Sequence, residues 1–118
     1  MKVLVCGGRD YGNSEFIERQ LDRLHKEMRF TLLIEGGATG ADRHAKSWAI
    51  SRRVPGREFR ANWAKHGKAA GPLRNQRMLD VAKPDLVVAF EGGKGTADMC
   101  ARAIAANVTV LKLREPAS

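Results

Sequence analysis

A chain of 118 residues, 43% of them hydrophobic, has the size of one ordinary domain and can bury a single core without disulfide or metal staples. It holds no apolar run near the ~18 residues that span a bilayer, and MKVLVCGG is too short for a secretory leader, so a cytoplasmic protein without membrane contact is expected. The net charge is +8, and +7 of it falls between Arg52 and Arg77, where eight basic residues meet one acid, Glu58; such a concentration suits a phosphate-bearing partner, nucleotide or nucleic acid, unless it is only a solvated face.

KVLVC (2–6) is continuous and β-branched, the pattern of a buried strand. Asn13 or Ser14 can cap the helix that follows, with Glu15 and Glu18 in its first turn, Ile17, Leu21, Leu24 and Met28 on one face and His25 on the exposed side. FTLLI (30–34) reads as the second strand. A second helix starts near Gly40, brings Ala41, Ala45, Trp48, Ala49 and Arg52 to helical spacing, and ends before Pro55. EFRA (58–61) is a polar edge strand, and NWAKHGKAAG (62–71) a long loop of the kind that carries function. Pro72 suits the first turn of a third helix running to Ala82. DLVVAF (85–90) is the fourth strand. Thr96–Ala106 is the fourth helix, with Met99, Ala103 and Ile104 inward and Asn107 as its stop, and VTVLKL (108–113) is the fifth strand. Cys6 and Cys100 show no CxxC and no disulfide framework, and read as small core residues.

Strand–helix alternation with short connections predicts an α/β fold, a single Rossmann-like doubly wound parallel sheet of about five strands in the order 3-2-1-4-5 with helices on both faces. The whole chain, 1–118, would be one ligand-binding domain. In that order strands 2, 1 and 4 are neighbours, and each runs into a double glycine: IEGGATGAD, CGGRD and FEGGKGTAD. Glycines at a strand's carboxyl end let the main chain approach a ligand, and a helix that starts at once offers free N–H groups to an anion. One such loop could be only a tight turn. Three on adjacent strands point to a phosphate or ribose cradle made from Gly7, Gly8, Arg9, Asp10, Gly36, Gly37, Ala38, Asp42, Gly92, Gly93, Gly95 and Thr96.

Asp10, Glu35, Asp42, Glu91 and Asp98 could accept ribose hydroxyls, although Asp42 and Asp98 suit helix first turns equally well. GPLRNQRM (71–78) puts Arg74 in the first turn of the third helix, where a guanidinium can take a phosphate bidentately, with Asn75 capping the helix or touching the ligand. Trp63 and His66 could stack on a base, but anchoring the loop to the core is the favoured role for Trp63. Neither GxxxxGK[ST] nor GxGxxG occurs, which removes the support for a P-loop ATPase or a familiar dinucleotide-dependent dehydrogenase. His25, His44 and His66 lack metal-ligand spacing, no Ser/His/Asp or Cys/His set is legible, and neither a metal nor a cofactor is expected.

Taken in order, CGGRDYG, EGGATGADRHA, AGPLRNQRM and FEGGKGTADM resemble the SLOG superfamily, specifically its small YspA-like branch, over essentially the whole chain. The superfamily takes in the Lonely-Guy phosphoribohydrolases and the Rossmann-like core of the DNA-processing protein DprA. The resemblance implies a sheet that binds nucleotides or nucleotide-derived ligands, phosphate contacts at Gly92–Thr96, a functional arginine at Arg74, and a homodimer. Lonely-Guy enzymes cleave the N-glycosidic bond of a nucleoside 5′-monophosphate with an arginine and the glutamate of a PGGxGTxxE motif. Here Glu91 stands in place of the proline and Met99 in place of the glutamate. A carboxylate stabilises the oxocarbenium-like charge of that reaction and a thioether does not. Asp98 is one residue away, about 100° round the helix, and Glu91 would act from another direction. The first expectation is therefore a nucleotide-binding sensor or carrier. The second is a nucleoside 5′-monophosphate N-glycosidase, with Arg74 holding phosphate and Glu91 or Asp98 as the catalytic carboxylate. The third, implied by DprA, is a single-stranded nucleic-acid binder using Arg52–Arg77, against which the aromatic content is only 6%.

Overall fold

Alternate residues of the first strand enter two different cores. Val3 and Val5 pack with Phe16, Ile17, Leu21 and Trp48, whereas Leu4 and Cys6 pack with Met78, Leu79, Met99 and Ala103. A strand does this only inside a sheet covered on both faces. In the computed structural model, which describes residues 1–117, that strand is β1 (Lys2–Cys6). With β2 (Leu32–Glu35), β3 (Gly56–Glu58), β4 (Leu86–Phe90) and β5 (Thr109–Leu113) it forms one parallel sheet in the order β3-β2-β1-β4-β5. The helices are α1 (Ser14–Met28), α2 (Ala41–Ser51), α3 (Trp63–His66), α4 (Ala70–Arg77) and α5 (Lys94–Ala105). Side chains of α1 and α2 fill the core on one face, and those of α5 and of the π turn Met78–Ala82 that follows α4 the core on the other. This is the doubly wound Rossmann-like arrangement, with strand order reversing between β1 and β4. Among the described residues, no helix is long and apolar enough to cross a membrane.

Trp48 is the largest fully buried side chain, and its indole N–H donates to Asp22 Oδ1 at 2.8 Å. Asp22 also accepts two bonds from Arg52, so one exposed carboxylate ties the end of α2 to α1. At the start of α1, Asn13 is the cap, accepting from the Phe16 N–H at 3.1 Å.

Four readings are corrected by the packing. The edge strand lies at 56–58, not 58–61, because Leu33 pairs with Gly56, and Phe59 is drawn into the second core, where it is 4% exposed. The segment 62–71 is helical rather than an irregular loop. Asn62 accepts from the Lys65 N–H to start α3, a 3-10 turn spans Gly67–Ala69, and α4 follows and widens into a π turn at Met78–Ala82. α5 begins at Lys94, two residues early, and Ile104 points outward at 60% exposure. His25 is half-buried, not on a free face; its Nδ1 accepts from the Phe30 N–H at 2.9 Å and its ring meets Trp48 edge-on.

Candidate functional site

The carboxyl ends of β1, β2 and β4 and the start of α4 surround a cleft of about 960 Å3. Gly8 knits its rim. The Gly8 N–H donates to the Glu91 carbonyl at 2.9 Å, and the Gly8 carbonyl accepts from Tyr11 N–H and Ala41 N–H. This closeness explains several glycines as architecture. A Cβ on Gly7 would sit 2.6 Å from the Ala41 Cβ, and one on Gly36 would sit 2.6 Å from the Arg74 Nη1. A Cβ on Gly92 would strike the Thr96 hydroxyl. Gly93 and Gly95 differ: nothing lies within 4 Å of a Cβ at either, so their backbone faces open space.

The two loops that look alike in sequence diverge in space. In the loop after β2, the Asp42 carboxylate turns back and accepts from the N–H groups of Gly36 and Ala38, both at 3.2 Å, while Glu35 accepts from Gly37 N–H at 2.6 Å. That loop is satisfied from within. After β4, Asp98 turns away and accepts from Asn75 Nδ2 at 3.0 Å and Arg102 Nε at 2.9 Å. Gly93 is the cap residue of α5 and brings no side chain, and the first bond of the helix runs from Ala97 N–H to the Gly93 carbonyl. The N–H groups of Lys94, Gly95 and Thr96 have no acceptor among the described residues.

Arg74 spans the two loops. It donates through Nη1 to the Gly36 carbonyl and through Nε to the Asn75 Oδ1 at 3.0 Å. Asn75, 3% exposed, passes the link on to the Gly95 carbonyl at 3.2 Å and to Asp98. Part of the guanidinium is thus committed to holding the cleft walls together. Of the residues expected from the sequence to contact a ligand, Glu35, Gly37 and His66 do not line this cleft; the others do, Glu91 and Asp98 among them. Trp63, Lys68, Lys94, Met78, Met99 and Cys6 line it too. Trp63 is no core anchor. It is 47% exposed at the mouth, with the Arg9 guanidinium 4.9 Å from its ring centre. His66 is exposed and outside the cleft lining.

A model of the YspA, cpYpsA-related SLOG family matches residues 1–66. The Gene 61 protein of Mycobacterium phage D29 is 36% identical over 99 residues, covering 79% of this chain and 78% of that protein. This chain belongs to the YspA, cpYpsA-related SLOG family. The matched segment carries the first two glycine loops and Trp63; Arg74 and the Gly92–Thr96 loop lie beyond it.

In this SLOG protein the basic segment does not make one stripe. Arg52 and Arg53 end α2, at the far end of the sheet from the cleft, and Arg52 pairs with Asp22. Arg57 and Arg77 lie over the Phe59 ring, and Arg60 pairs with Glu58. Of the eight basic residues only Lys68 and Arg74 line the cleft, joined there by Arg9 and Lys94.

Two acids are buried in this SLOG protein at the end of β2 and the start of α2, Asp42 in the cleft wall and Glu35 outside it. Burial pushes the Glu35 carboxyl up to about 7, helped by Asp42 and Glu58 and opposed by the Gly37 N–H and Lys46. Asp42 is raised by burial and held back by the Ala38 N–H and Arg74, while burial lowers Arg74. Folded Glu35 keeps its proton to about pH 7, whereas an unfolded glutamate releases it near 4.3. The unfolded state therefore binds fewer protons in that window, and stability falls as pH rises through it. We expect about 1–2 kcal/mol of stability to be lost between pH 5 and pH 8 through this group, and Glu35→Gln, which keeps an acceptor for Gly37, to flatten the profile. Urea melts across that range read it out; parallel profiles for the two proteins would remove Glu35 from the account.

Proposed function

We propose that the protein binds a nucleotide or nucleotide-derived ligand in this cleft as a sensor or carrier, with its phosphate at the first turn of α5 and its ribose or base toward Gly7–Asp10 and Trp63. The observation that carries the reading is the set of unclaimed N–H groups at Lys94, Gly95 and Thr96, beside open space at Gly93 and Gly95. A helix start of this kind carries partial positive charge and fits an anion, and Lys94 and Lys68 line the same cleft. The cradle after β2 is filled by Asp42, so it serves as wall rather than as a second phosphate site.

Binding is favoured over glycosidic cleavage by the carboxylates. Met99 is buried, at 1% exposure, where the related hydrolases carry glutamate, and Asp98 is held by Arg102 and Asn75. Glu91, exposed on the rim, is the remaining acid beside the α5 turn. The test is a melting screen with nucleoside monophosphates, ADP-ribose-type compounds, dinucleotides and a short single-stranded oligonucleotide, at low and moderate salt, followed by chromatography for released base. A ligand at about a hundred times its Kd adds ~2.7 kcal/mol and shifts the melt by several degrees. A salt-tolerant shift with a nucleotide and no released base is the expected result. Base release that stops with Glu91→Gln would replace this reading with the hydrolase. A shift confined to the oligonucleotide and lost with salt would replace it with strand binding.

A further inference from the structure

The first turn of α5 borders two spaces. Glu91, Gly92, Gly93 and Thr96 line the main cleft, and the same four residues line a second cavity of about 570 Å3. That volume falls within the range of ~300–1,000 Å3 usual for small-molecule sites. The second cavity is a groove between α5 and the end of β5. Ala97, Cys100, Ala101 and Ile104 reach it at helical spacing, from one face of α5. The two alanines leave room there that longer side chains would fill, and Ile104 is the large apolar group of that face, 60% exposed. Lys112 on β5 and Arg114 just past its end supply the charge. Both are exposed, and neither has an ion-pair partner among the described residues. The acid of the groove is Glu91, on the rim it shares with the cleft. An apolar wall and two uncommitted cations thus continue directly from the helix start whose N–H groups at Lys94, Gly95 and Thr96 are unclaimed.

We infer that the ligand is a dinucleotide whose bridging phosphate sits at the first turn of α5, with one nucleoside in the main cleft and the other, carrying a terminal phosphate, in the groove between α5 and β5. This rests on the phosphate site proposed above and adds what lies on the far side of that phosphate. A phosphate monoester ends at the turn and does not reach the groove. A diester keeps two unesterified oxygens for the N–H groups of Lys94, Gly95 and Thr96, and its second ester arm leaves past Gly93, where no side chain stands in the way. The sugar and base of that arm lie against the alanine face of α5 and Ile104, and the terminal phosphate meets Lys112 and Arg114. Charge selects the terminal group: a second nucleoside without a phosphate would leave both cations unused.

The test is calorimetric titration of the full chain at moderate salt with the four nucleoside 5′-monophosphates and the matching 5′-phosphorylated homodinucleotides and homotrinucleotides. One dinucleotide should bind ~10-fold more tightly than its monophosphate, and the third nucleotide should add nothing. Lys112→Gln combined with Arg114→Gln, and separately Ala101→Phe, should erase that difference and leave the Kd of the monophosphate unchanged. All three positions are exposed and outside the main cleft. The inference is overturned by equal affinity for monophosphate and dinucleotide, by an undiminished preference in both variants, or by a further gain with each added nucleotide, which marks a strand-binding surface. Absence of binding by every probe would remove the phosphate site and this inference together, whereas monophosphate binding without a dinucleotide preference would remove this inference alone. The wild-type series decides the matter even if a variant fails to fold.

Discussion

Gly93→Asp should raise the stability of the protein while weakening nucleotide binding by ~100-fold or more, two effects of opposite sign from one side chain. Gly93 caps α5 with φ −99° and ψ −143°, a negative φ that does not call for glycine, and a Cβ there meets nothing within 4 Å. The new carboxylate can accept from the unclaimed N–H groups of Gly95 or Thr96 and lies at the positive end of the helix. Capping and dipole together are worth about 0.5–1 kcal/mol, a rise of a few degrees in Tm. The same oxygens occupy the position proposed for phosphate. A bound phosphate would lose hydrogen bonds worth about 1.5–3 kcal/mol each and meet a like charge instead. Thermal melts and calorimetric titration with whichever nucleotide stabilises the wild type check both halves. A variant that melts higher yet binds undiminished would move the phosphate away from α5; one that melts lower would mean the cap geometry is misread.

What the chain discloses before folding depends on whether a feature is local. VLVC (3–6) and LVVAF (86–90) advertise themselves because a strand buried on both faces is apolar at every position. The strand order and the convergence of three glycine loops follow from the alternation of elements. By contrast, a three-residue edge strand has no pattern of its own, and its place is decided by the partner residue Leu33. The short helix at 63–66 buries none of its residues, so it leaves no apolar period in the sequence, although Asn62 is a capping signal that could have been read.

The site shows the same division. Asp42 and Asp98 each follow a double glycine at the same spacing, yet one fills its own loop and the other pairs with Asn75 and Arg102. The cause is α4, which comes from elsewhere in the chain and offers Asn75 to only one of them. Arg74 reads as a free phosphate ligand until its Nη1 is found on the Gly36 carbonyl.

Gly40→Ala and Gly95→Ala should part company in the same way, and by a wide margin. Gly40 has φ +72° and ψ −126°, a region closed to side chains, and a Cβ there would run into the carbonyl oxygens of Gly8 and Arg9. Those atoms are backbone, so relief requires the loop after β1 to separate from the start of α2, breaking the Ala41 N–H bond to Gly8. Strain and overpacking together are expected to remove about 3–5 kcal/mol, a large part of the ~5–15 kcal/mol that holds a domain folded. Gly95 lies in the first turn of α5 with open space beside it, so alanine there should gain about 0.5–1 kcal/mol by restricting the unfolded chain and favouring the helix. Urea unfolding with an unchanged m-value measures both differences. A loss below about 1 kcal/mol for Gly40→Ala would show that the β1 loop and α2 do not approach as closely as the cleft requires. A loss of several kcal/mol for Gly95→Ala would mean that its backbone is enclosed, and the open turn proposed to receive phosphate would not exist.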